Sequence, residues 1–141
     1  MKRINTILLL LAAVIIIFPM NACAQRVKFS KSAIVPAAEG TVKVRKDKNN
    51  NYLIKVNIDN LAAPERLSPP RQAYVIWMIT EENMPKNIGK IKVSSKFLST
   101  KLKASFETVS SIKPLRIFIT AENDPSVQYS DYDVIMTTNN F

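Results

Sequence analysis

The sequence predicts an all-β protein, an antiparallel immunoglobulin-like β-sandwich of about seven strands after an N-terminal signal segment. Apolar residues alternate with polar ones in several short segments of the 141-residue chain, as they do in half-buried strands. Turn-forming residues separate these segments. After residue 24 the sequence has no convincing helical period. We therefore place the sandwich domain over residues 32–137 and the signal segment over residues 1–24.

The first two strands form a predicted hairpin. Val42 and Val44 alternate with polar residues, and residues 52–58 repeat the alternation with apolar residues at every second position. Between them, residues 47–51 read Asp-Lys-Asn-Asn-Asn, and Asn and Asp tolerate left-handed backbone better than most residues. The spacing therefore predicts two antiparallel strands joined by a turn at 47–51.

Residues 72–80 predict a strand that is apolar on both faces. One face carries Trp77, and the other carries Tyr74, Ile76 and Met78. Such a strand is central and covered on both sides, which is the interpretation we favour. The alternative is that Tyr74, Ile76 and Met78 form a candidate interface with a partner. We interpret Trp77 as a core residue, with sugar stacking as the less favoured alternative.

The remaining elements follow from the same alternation. A proline-rich loop covers residues 61–71, because proline is excluded from central strands. Further strands are predicted at 87–93, 101–106, 115–121 and 131–136, with turns at 81–85, 108–114 and 123–126.

The N-terminal segment predicts export. Lys2 and Arg3 precede the uninterrupted apolar run of residues 7–18, and Pro19 follows it. A helix of that length spans about 18 Å, which is well short of the roughly 30 Å hydrocarbon core of a membrane. The segment is therefore interpreted as a signal peptide and not as a permanent membrane span.

Two processing outcomes remain open for this signal. In the first, residues 20–23 form a lipobox, Ala22 supplies its small residue, and Cys23 becomes the acylated first residue, which anchors the protein in a membrane. In the second, cleavage follows Ala24 and Cys23 is removed with the signal. We favour the lipoprotein, because Cys23 is the only cysteine of the chain.

Composition excludes several kinds of catalysis. The chain has no histidine and a single cysteine, so a zinc site, a Ser-His-Asp triad and a Cys-His pair cannot be built after the signal. Ser110 and Lys113 have the spacing of a Ser–Lys pair, but Pro114 removes the helix that would align them. We expect no catalytic residue, no metal, no cofactor and no enzymatic activity.

Charge is unevenly distributed along the chain, whose net charge is +9. Between residues 83 and 106 there are lysines and no acidic residue, which suggests a face for an anionic lipid, lipopolysaccharide or an acidic protein; a solvated strand edge is the simpler alternative. The candidate residues are Lys86, Lys90, Lys92, Lys96, Lys101 and Lys103. Nucleic acid is not expected, because no aromatic–basic motif is present.

The C-terminal segment is acidic. Asp131 and Asp133 alternate on a predicted strand and could share a calcium ion with Glu122 or Asp124. The favoured interpretation is a solvated acidic edge.

Several landmarks together resemble a known family. In chain order they are Gly40-Thr41-Val42, the Tyr-x-x-Trp of Tyr74 to Trp77, Gly89, and Thr120-Ala121-Glu122 ahead of Pro125. Over roughly residues 32–134 the chain resembles the extracytoplasmic C-terminal domain of anti-sigma-K factors. The resemblance implies a β-sandwich, an extracytoplasmic compartment and a sensing ancestry.

The departures from that family limit what is carried over. Those regulators place a sigma-binding domain and a transmembrane helix before the sandwich, whereas only three residues precede Ile4 here. We therefore expect no sigma-factor inhibition. The sequence predicts a non-enzymatic binding or sensing module of the bacterial cell envelope, a periplasm-facing lipoprotein or otherwise a secreted protein. A secreted structural module and an enzyme with a carboxylate-only site are the alternatives.

Overall fold

The computed structural model describes residues 24–95, 102–130 and 132–141, and within them the chain forms eight strands and one short 3-10 helix at Pro64–Arg66. The strands are β1 (Gln25–Lys28), β2 (Glu39–Lys46), β3 (Tyr52–Asp59), β4 (Ala73–Ile79), β5 (Pro85–Ser95), β6 (Leu102–Ser110), β7 (Arg116–Glu122) and β8 (Val134–Thr137). Every pair of neighbouring strands is antiparallel, in the order β1-β2-β3-β6-β5-β4-β7-β8.

One long strand joins the two halves of this sheet. The beginning of β5, up to Ile91, pairs with β4, and its end, from Lys92, pairs with β6. We call β1, β2, β3, β6 and the end of β5 the first half, and the beginning of β5 with β4, β7 and β8 the second half. The sheet curls at β5, so that the apolar faces of the two halves meet.

The core lies between these two faces. Val42 and Val56 of the first half and Ile76 and Ile119 of the second half are fully buried and belong to one hydrophobic cluster. Burying a side chain of this size contributes roughly 1.5–3 kcal/mol relative to exposure. The predicted all-β antiparallel class is confirmed, with eight strands in one curled sheet whose halves face each other.

The first and last strands, which are the two edges of the sheet, lie next to each other. Phe29, directly after β1, forms an antiparallel bridge with Thr138, directly after β8. The N–H of Ser30 donates to the carbonyl of Thr137 at 2.8 Å. The curled sheet is therefore joined across its two edges at this end.

The predicted hairpin at 47–51 is confirmed in its details. The Asp47 carboxylate accepts hydrogen bonds from the N–H groups of Asn49 at 2.7 Å and Asn51 at 2.9 Å. Asn50 has a positive φ of 63°, a left-handed conformation that asparagine adopts more easily than most residues. A side chain that accepts from its own turn fixes the hairpin at the segment of Asp and Asn residues where the sequence predicted a turn.

The structure differs from the predicted strands in several places, and β5, for example, is longer at both ends than the predicted 87–93. β1 was not predicted, because it lies just after the proposed signal and has only four residues. β6 continues through Ser110, since it pairs along the whole of β3 as far as Tyr52, so residues 108–110 are strand and not turn. β8 begins at Val134, so Asp133 precedes the last strand.

Candidate functional site

The outward face of the first half carries rows of charged side chains. Residues directly opposite each other in neighbouring strands point to the same side of a sheet. One such row runs from Arg26 in β1 through Lys43 and Lys55 to Glu107 in β6. All four residues are exposed. The sheet register therefore brings three basic side chains from three strands into one line.

Two further rows lie beside the first. They read Lys28, Thr41, Asn57, Ser105, Lys92, and then Glu39, Asp59, Lys103, Ser94. Arg45 and Lys90 lie on the same side, two residues along their strands from Lys43 and Lys92. We call the basic residues of this surface the basic face: Arg26, Lys28, Lys43, Arg45, Lys55, Lys90, Lys92 and Lys103.

Like charges stand next to each other on the basic face. Directly opposite like charges destabilise a sheet pair, yet Lys43 lies between Arg26 and Lys55. Among the residues that the structure describes, ion pairs on this face join only Lys55 to Glu107 at 2.8 Å and Lys103 to Asp59 at 3.9 Å. Exposed pairs of this kind contribute about 0–1 kcal/mol. The face thus keeps an excess of positive charge that folding does not require.

A groove of about 610 Å³ lies at one end of the basic face. Strands β1 to β3 form its floor, and the segment after β1 lines its side; its charged residues are Arg26, Lys28, Lys31, Glu39 and Asp59. The Arg26 guanidinium leans along the sheet and donates to Thr41 Oγ1 at 3.5 Å, a long hydrogen bond. Both signs of charge therefore line one groove.

Gly40 allows Phe29 to pack closely against β2. A Cβ at this position would lie 2.8 Å from Phe29 Cδ2 and 3.1 Å from the carbonyl oxygen of Asn57. Any larger residue would push Phe29 away from β2, where its N–H donates to the Gly40 carbonyl at 3.0 Å. The glycine thus allows the segment after β1 to lie close against β2.

The outward face of the second half is covered by the chain itself. Trp77 Nε1 donates to Thr120 Oγ1 at 2.8 Å, and that hydroxyl donates to Glu122 Oε1 at 2.6 Å. The Ser130 hydroxyl, from the connection between β7 and β8, donates to the same oxygen at 3.0 Å. Trp77 is fully buried, and its ring stacks on Phe118 with centroids 5.9 Å apart. It cannot offer a sugar-stacking surface.

The same connection is fastened at a second point. Asn87 Nδ2 donates to the carbonyls of Pro125 at 3.1 Å and Val127 at 2.8 Å. Glu122 is 1% exposed, and its Oε2 has no hydrogen-bond partner among the described residues. The long connection after β7 therefore contacts Asn87 and Glu122 and helps to cover the polar groups of this face.

The alternative prediction that Tyr74, Ile76 and Met78 form an exposed interface was wrong. All three side chains are at most 1% exposed, because their face of β4 packs against the first half of the sheet. The Tyr74 hydroxyl donates to the carbonyl of Ala62 at 2.9 Å. Burial, and secondarily the nearby charge of Glu65, raises the pKa of Tyr74 to about 12. These residues belong to the core.

The predicted lysine set is divided between two sides of the sheet. Lys90, Lys92 and Lys103 lie on the basic face, whereas Lys86 lies opposite Met78 on the other side. The register between β4 and β5 shifts between Ile76 and Trp77, so Ile88 is an extra residue of β5. Because of this bulge, Lys86 lies on the opposite side of the sheet from Lys90.

The bulge needs a glycine. Gly89 has a φ of 143°, which disfavours any L side chain, and an added Cβ would lie 2.6 Å from Phe106 Cε2. Lys96 and Lys101 lie outside the described residues. Sequence reasoning missed Arg26, Lys28, Lys43, Arg45 and Lys55, although the polar positions of the predicted strands were the signal that could have found the last three.

The acidic C-terminal residues do not gather into a site that the structure describes. Asp124 Oδ1 accepts from the N–H and the hydroxyl of Ser126 at 2.8 and 2.7 Å, which lowers the pKa of Asp124 and makes it a turn residue. Within residues 24–95, 102–130 and 132–141, three or more potential metal-ligating His, Cys, Asp or Glu residues do not come together. Asp131 and Cys23 lie outside those ranges.

The described residues define an all-β antiparallel module with one covered and one open outward face. In the part of the chain that the structure describes, none of the helices has the length and apolar character needed to cross a membrane. Comparison with protein-family models gave no match, and neither the curated proteins nor the solved structures gave a significant one.

Proposed function

We propose that the protein is a non-enzymatic binding module of the bacterial cell envelope, anchored through a lipid on Cys23, and that its basic face binds the anionic groups of the membrane surface. The observation that carries this proposal is the row of Arg26, Lys43 and Lys55, in which like charges are neighbours without carboxylates between them. The repulsion among these side chains costs free energy in the folded protein. An anionic surface reduces that repulsion, which makes binding favourable.

The proposed anchor and the basic face lie close together along the chain. Arg26 follows Cys23 by three residues, and an extended chain spans at most about 3.3–3.6 Å per residue. An acyl group on Cys23 would therefore hold β1 within about 11 Å of the membrane surface. Basic side chains at that distance contribute roughly 1 kcal/mol each to attraction by anionic lipid. The anchor and the face would act together.

The resemblance to the extracytoplasmic domain of anti-sigma-K factors supports the envelope address and adds sensing as a role, without sigma-factor inhibition. A binding face that responds to the density of anionic groups would suit such a role. This part of the proposal rests on the sequence landmarks alone. A secreted structural module is the alternative if Cys23 is removed with the signal.

The binding proposal is tested with vesicles. The signal-free chain from residue 23 onward, carrying Cys23→Ala so that it has no acyl anchor, is sedimented with vesicles of phosphatidylglycerol or of phosphatidylcholine across a range of salt concentrations. We expect binding to phosphatidylglycerol only, weakening as salt rises because the charges are exposed. The triple change Arg26→Gln, Lys43→Gln and Lys55→Gln should abolish it.

A matched control removes the same charge elsewhere. Lys48→Gln, Lys86→Gln and Lys113→Gln change three exposed basic residues that are not part of the basic face. This control should retain most of the binding; an equal loss in both variants would mean that net charge and not the face is responsible. Mass spectrometry of the mature N-terminus tests the anchor, and a chain that begins at Gln25 would overturn it.

A further inference from the structure

We infer that the groove at the end of the basic face binds a phosphate ester that carries a primary ammonium group, which can donate to carboxylates, with phosphoethanolamine as the simplest member of the class. The phosphate would lie against Arg26, Lys28 and Lys31, and the ammonium between Glu39 and Asp59. This inference rests on the proposed function, because the groove shares Arg26 and Lys28 with the basic face. It adds a chemical class of ligand and a defined site.

The acidic end of the groove is built from two facing carboxylates. Glu39 lies directly opposite Asp59 in the register of β2 and β3. Glu39 forms no ion pair within the described residues, and Asp59 has only the Lys103 contact at 3.9 Å, between side chains that are 63% and 59% exposed. Opposed carboxylates destabilise a sheet pair as opposed lysines do. A cation bound between them removes that cost.

The basic end of the groove lies two residues further along the strands, at the next position that points to the same face. Lys28 is opposite Thr41, and Thr41 is two residues from Glu39, a separation of about 7 Å along a strand. The hydrogen bond from Arg26 to Thr41 Oγ1 brings the guanidinium into this same row. A ligand whose opposite charges are a few bonds apart can therefore touch both ends at once.

The charges of the groove are held apart in the folded protein. No ion pair joins Arg26, Lys28 or Lys31 to Glu39 or Asp59 among the described residues, although all five line the same groove. The chain thus leaves both ends free to bind. A simple anion satisfies only one end, and a simple amine satisfies only the other, so the arrangement favours a ligand that carries both groups.

The size and the lining of the groove fit a small polar ligand with a short carbon linker. Its volume of about 610 Å³ lies within the range of small-molecule sites, about 300–1,000 Å³. Thr41 and Asn57, in the same row as Lys28, line the groove and can hydrogen-bond to phosphate or ester oxygens. Pro36 adds an apolar contact for methylene groups.

The test compares four soluble probes on the same signal-free chain carrying Cys23→Ala: phosphoethanolamine, ethyl phosphate, ethanolamine and inorganic phosphate. Titration calorimetry should give a Kd for phosphoethanolamine at least about tenfold lower than for ethyl phosphate, which lacks the ammonium. Glu39→Gln with Asp59→Asn should remove this preference and leave ethyl phosphate binding intact. Arg26→Gln with Lys28→Gln should abolish binding of both phosphates.

Controls separate the site from folding and from the wider face. The substitutions at Glu39 and Asp59 are conservative and exposed, so the fold, followed by circular dichroism, should be unchanged. Lys55→Gln lies on the basic face outside the groove and should not alter the preference for phosphoethanolamine. Equal affinity for phosphoethanolamine and ethyl phosphate, or a preference that survives the Glu39 and Asp59 changes, would overturn the inference.

Vesicles distinguish the source of the ligand and the two proposals. Binding to phosphatidylethanolamine vesicles in addition to the free ester would indicate a lipid headgroup, and binding to the free ester alone would indicate a soluble or polymer-borne group. Binding to phosphatidylglycerol without any phosphoethanolamine preference refutes only the groove. Preference for phosphoethanolamine without binding to phosphatidylglycerol refutes only the anionic-surface function.

Discussion

The outward faces of the two halves of the sheet differ although both belong to strands of similar length. On the first half, exposed basic residues stand in rows with like charges as neighbours. On the second half, a Trp, a Thr and a Glu are buried in one hydrogen-bonded chain. The difference lies in the connections. The turn at 47–51 is too short to fold back over β2 and β3, whereas the connection at 123–133 reaches across β4 and β7.

This contrast indicates what each face contributes. The covered face contributes stability, because the aromatic ring of Trp77 is buried and its N–H, the Thr120 hydroxyl and Glu122 Oε1 are hydrogen-bonded beneath the connection. The open face contributes little to stability, because its ion pairs are exposed and its like charges repel. Substitutions on the covered face should therefore change mainly the free energy of unfolding, and substitutions on the open face should change mainly the binding to vesicles.

The largest effect is expected from Trp77→Ala on the covered face. Removing this fully buried side chain creates a cavity and leaves Thr120 without its donor, which should lower the free energy of unfolding by about 3–5 kcal/mol. Urea denaturation followed by circular dichroism measures the loss. Val109→Ala, at a residue that is 57% exposed on the other half, should change it by less than about 0.5 kcal/mol. Similar losses in both variants would remove the contrast.

Thr120→Val should have an intermediate effect. The change keeps the volume but removes the acceptor of Trp77 Nε1 and a donor to Glu122. Buried polar groups left without partners cost about 1–3 kcal/mol. Thr41→Val, on the open face, is the matched control, and its stability should stay close to that of the wild type. A Thr120→Val protein as stable as wild type would show that the hydrogen bonds among Trp77, Thr120 and Glu122 do not contribute to stability.

Alkaline pH should weaken the contact between the halves. The pKa of Tyr74 is raised from 10.0 to about 12 in the folded protein, so the native state holds this proton more tightly than the unfolded state. Its contribution is complete below pH 10 and is lost as the pH rises from 10 towards 12. Urea midpoints measured over this window should fall more steeply for wild type than for Tyr74→Phe. Parallel curves would contradict the assignment.

The smallest change in stability, with the opposite sign, is expected from Lys43→Glu. This substitution places a carboxylate between Arg26 and Lys55, so two repulsive pairs become attractive. Each favourable cross-strand pair is worth about 0.2–1 kcal/mol, and exposure keeps the gain near the lower limit. Stability should rise slightly while sedimentation with phosphatidylglycerol vesicles falls. Lys48→Glu, in the hairpin turn, should change neither; a loss of stability in Lys43→Glu would refute the repulsion argument.

Local patterns predicted most of the strands but not which faces are covered. The turn at 47–51 follows from Asp47 and its neighbours, whose hydrogen bonds are local. The burial of Trp77 under the β7–β8 connection depends on Ser130 and on Asn87, which is distant in sequence from the carbonyls it binds. No short-range period reports such a contact. The sequence therefore indicated that both faces of β4 are apolar. The structure shows that one face packs against the first half of the sheet and that the other lies beneath the β7–β8 connection.

The candidate site was predictable in part for a related reason. Lys90 and Lys92 were found because lysines cluster along one segment, while Lys86 was misplaced by the bulge at Ile88, whose only sequence signal is the neighbouring Gly89. Arg26 and Lys28 joined the face through β1, a strand too short for its alternation to be recognised. The rows themselves depend on the register between strands.

The pairing of β3 with β6 has a consequence for how the chain folds. Tyr52 pairs with Ser110, so the β2–β3 hairpin can form early but its second edge stays open until β6 has been made. During that interval Ile54 and Val56 are exposed beside an unpaired edge, a combination that favours association with other strands. Sheets with such distant partners fold in milliseconds to seconds. Refolding followed by circular dichroism, which reports strand formation throughout the sheet, should fall in that range, and refolding that is complete on the order of microseconds would contradict this order of events.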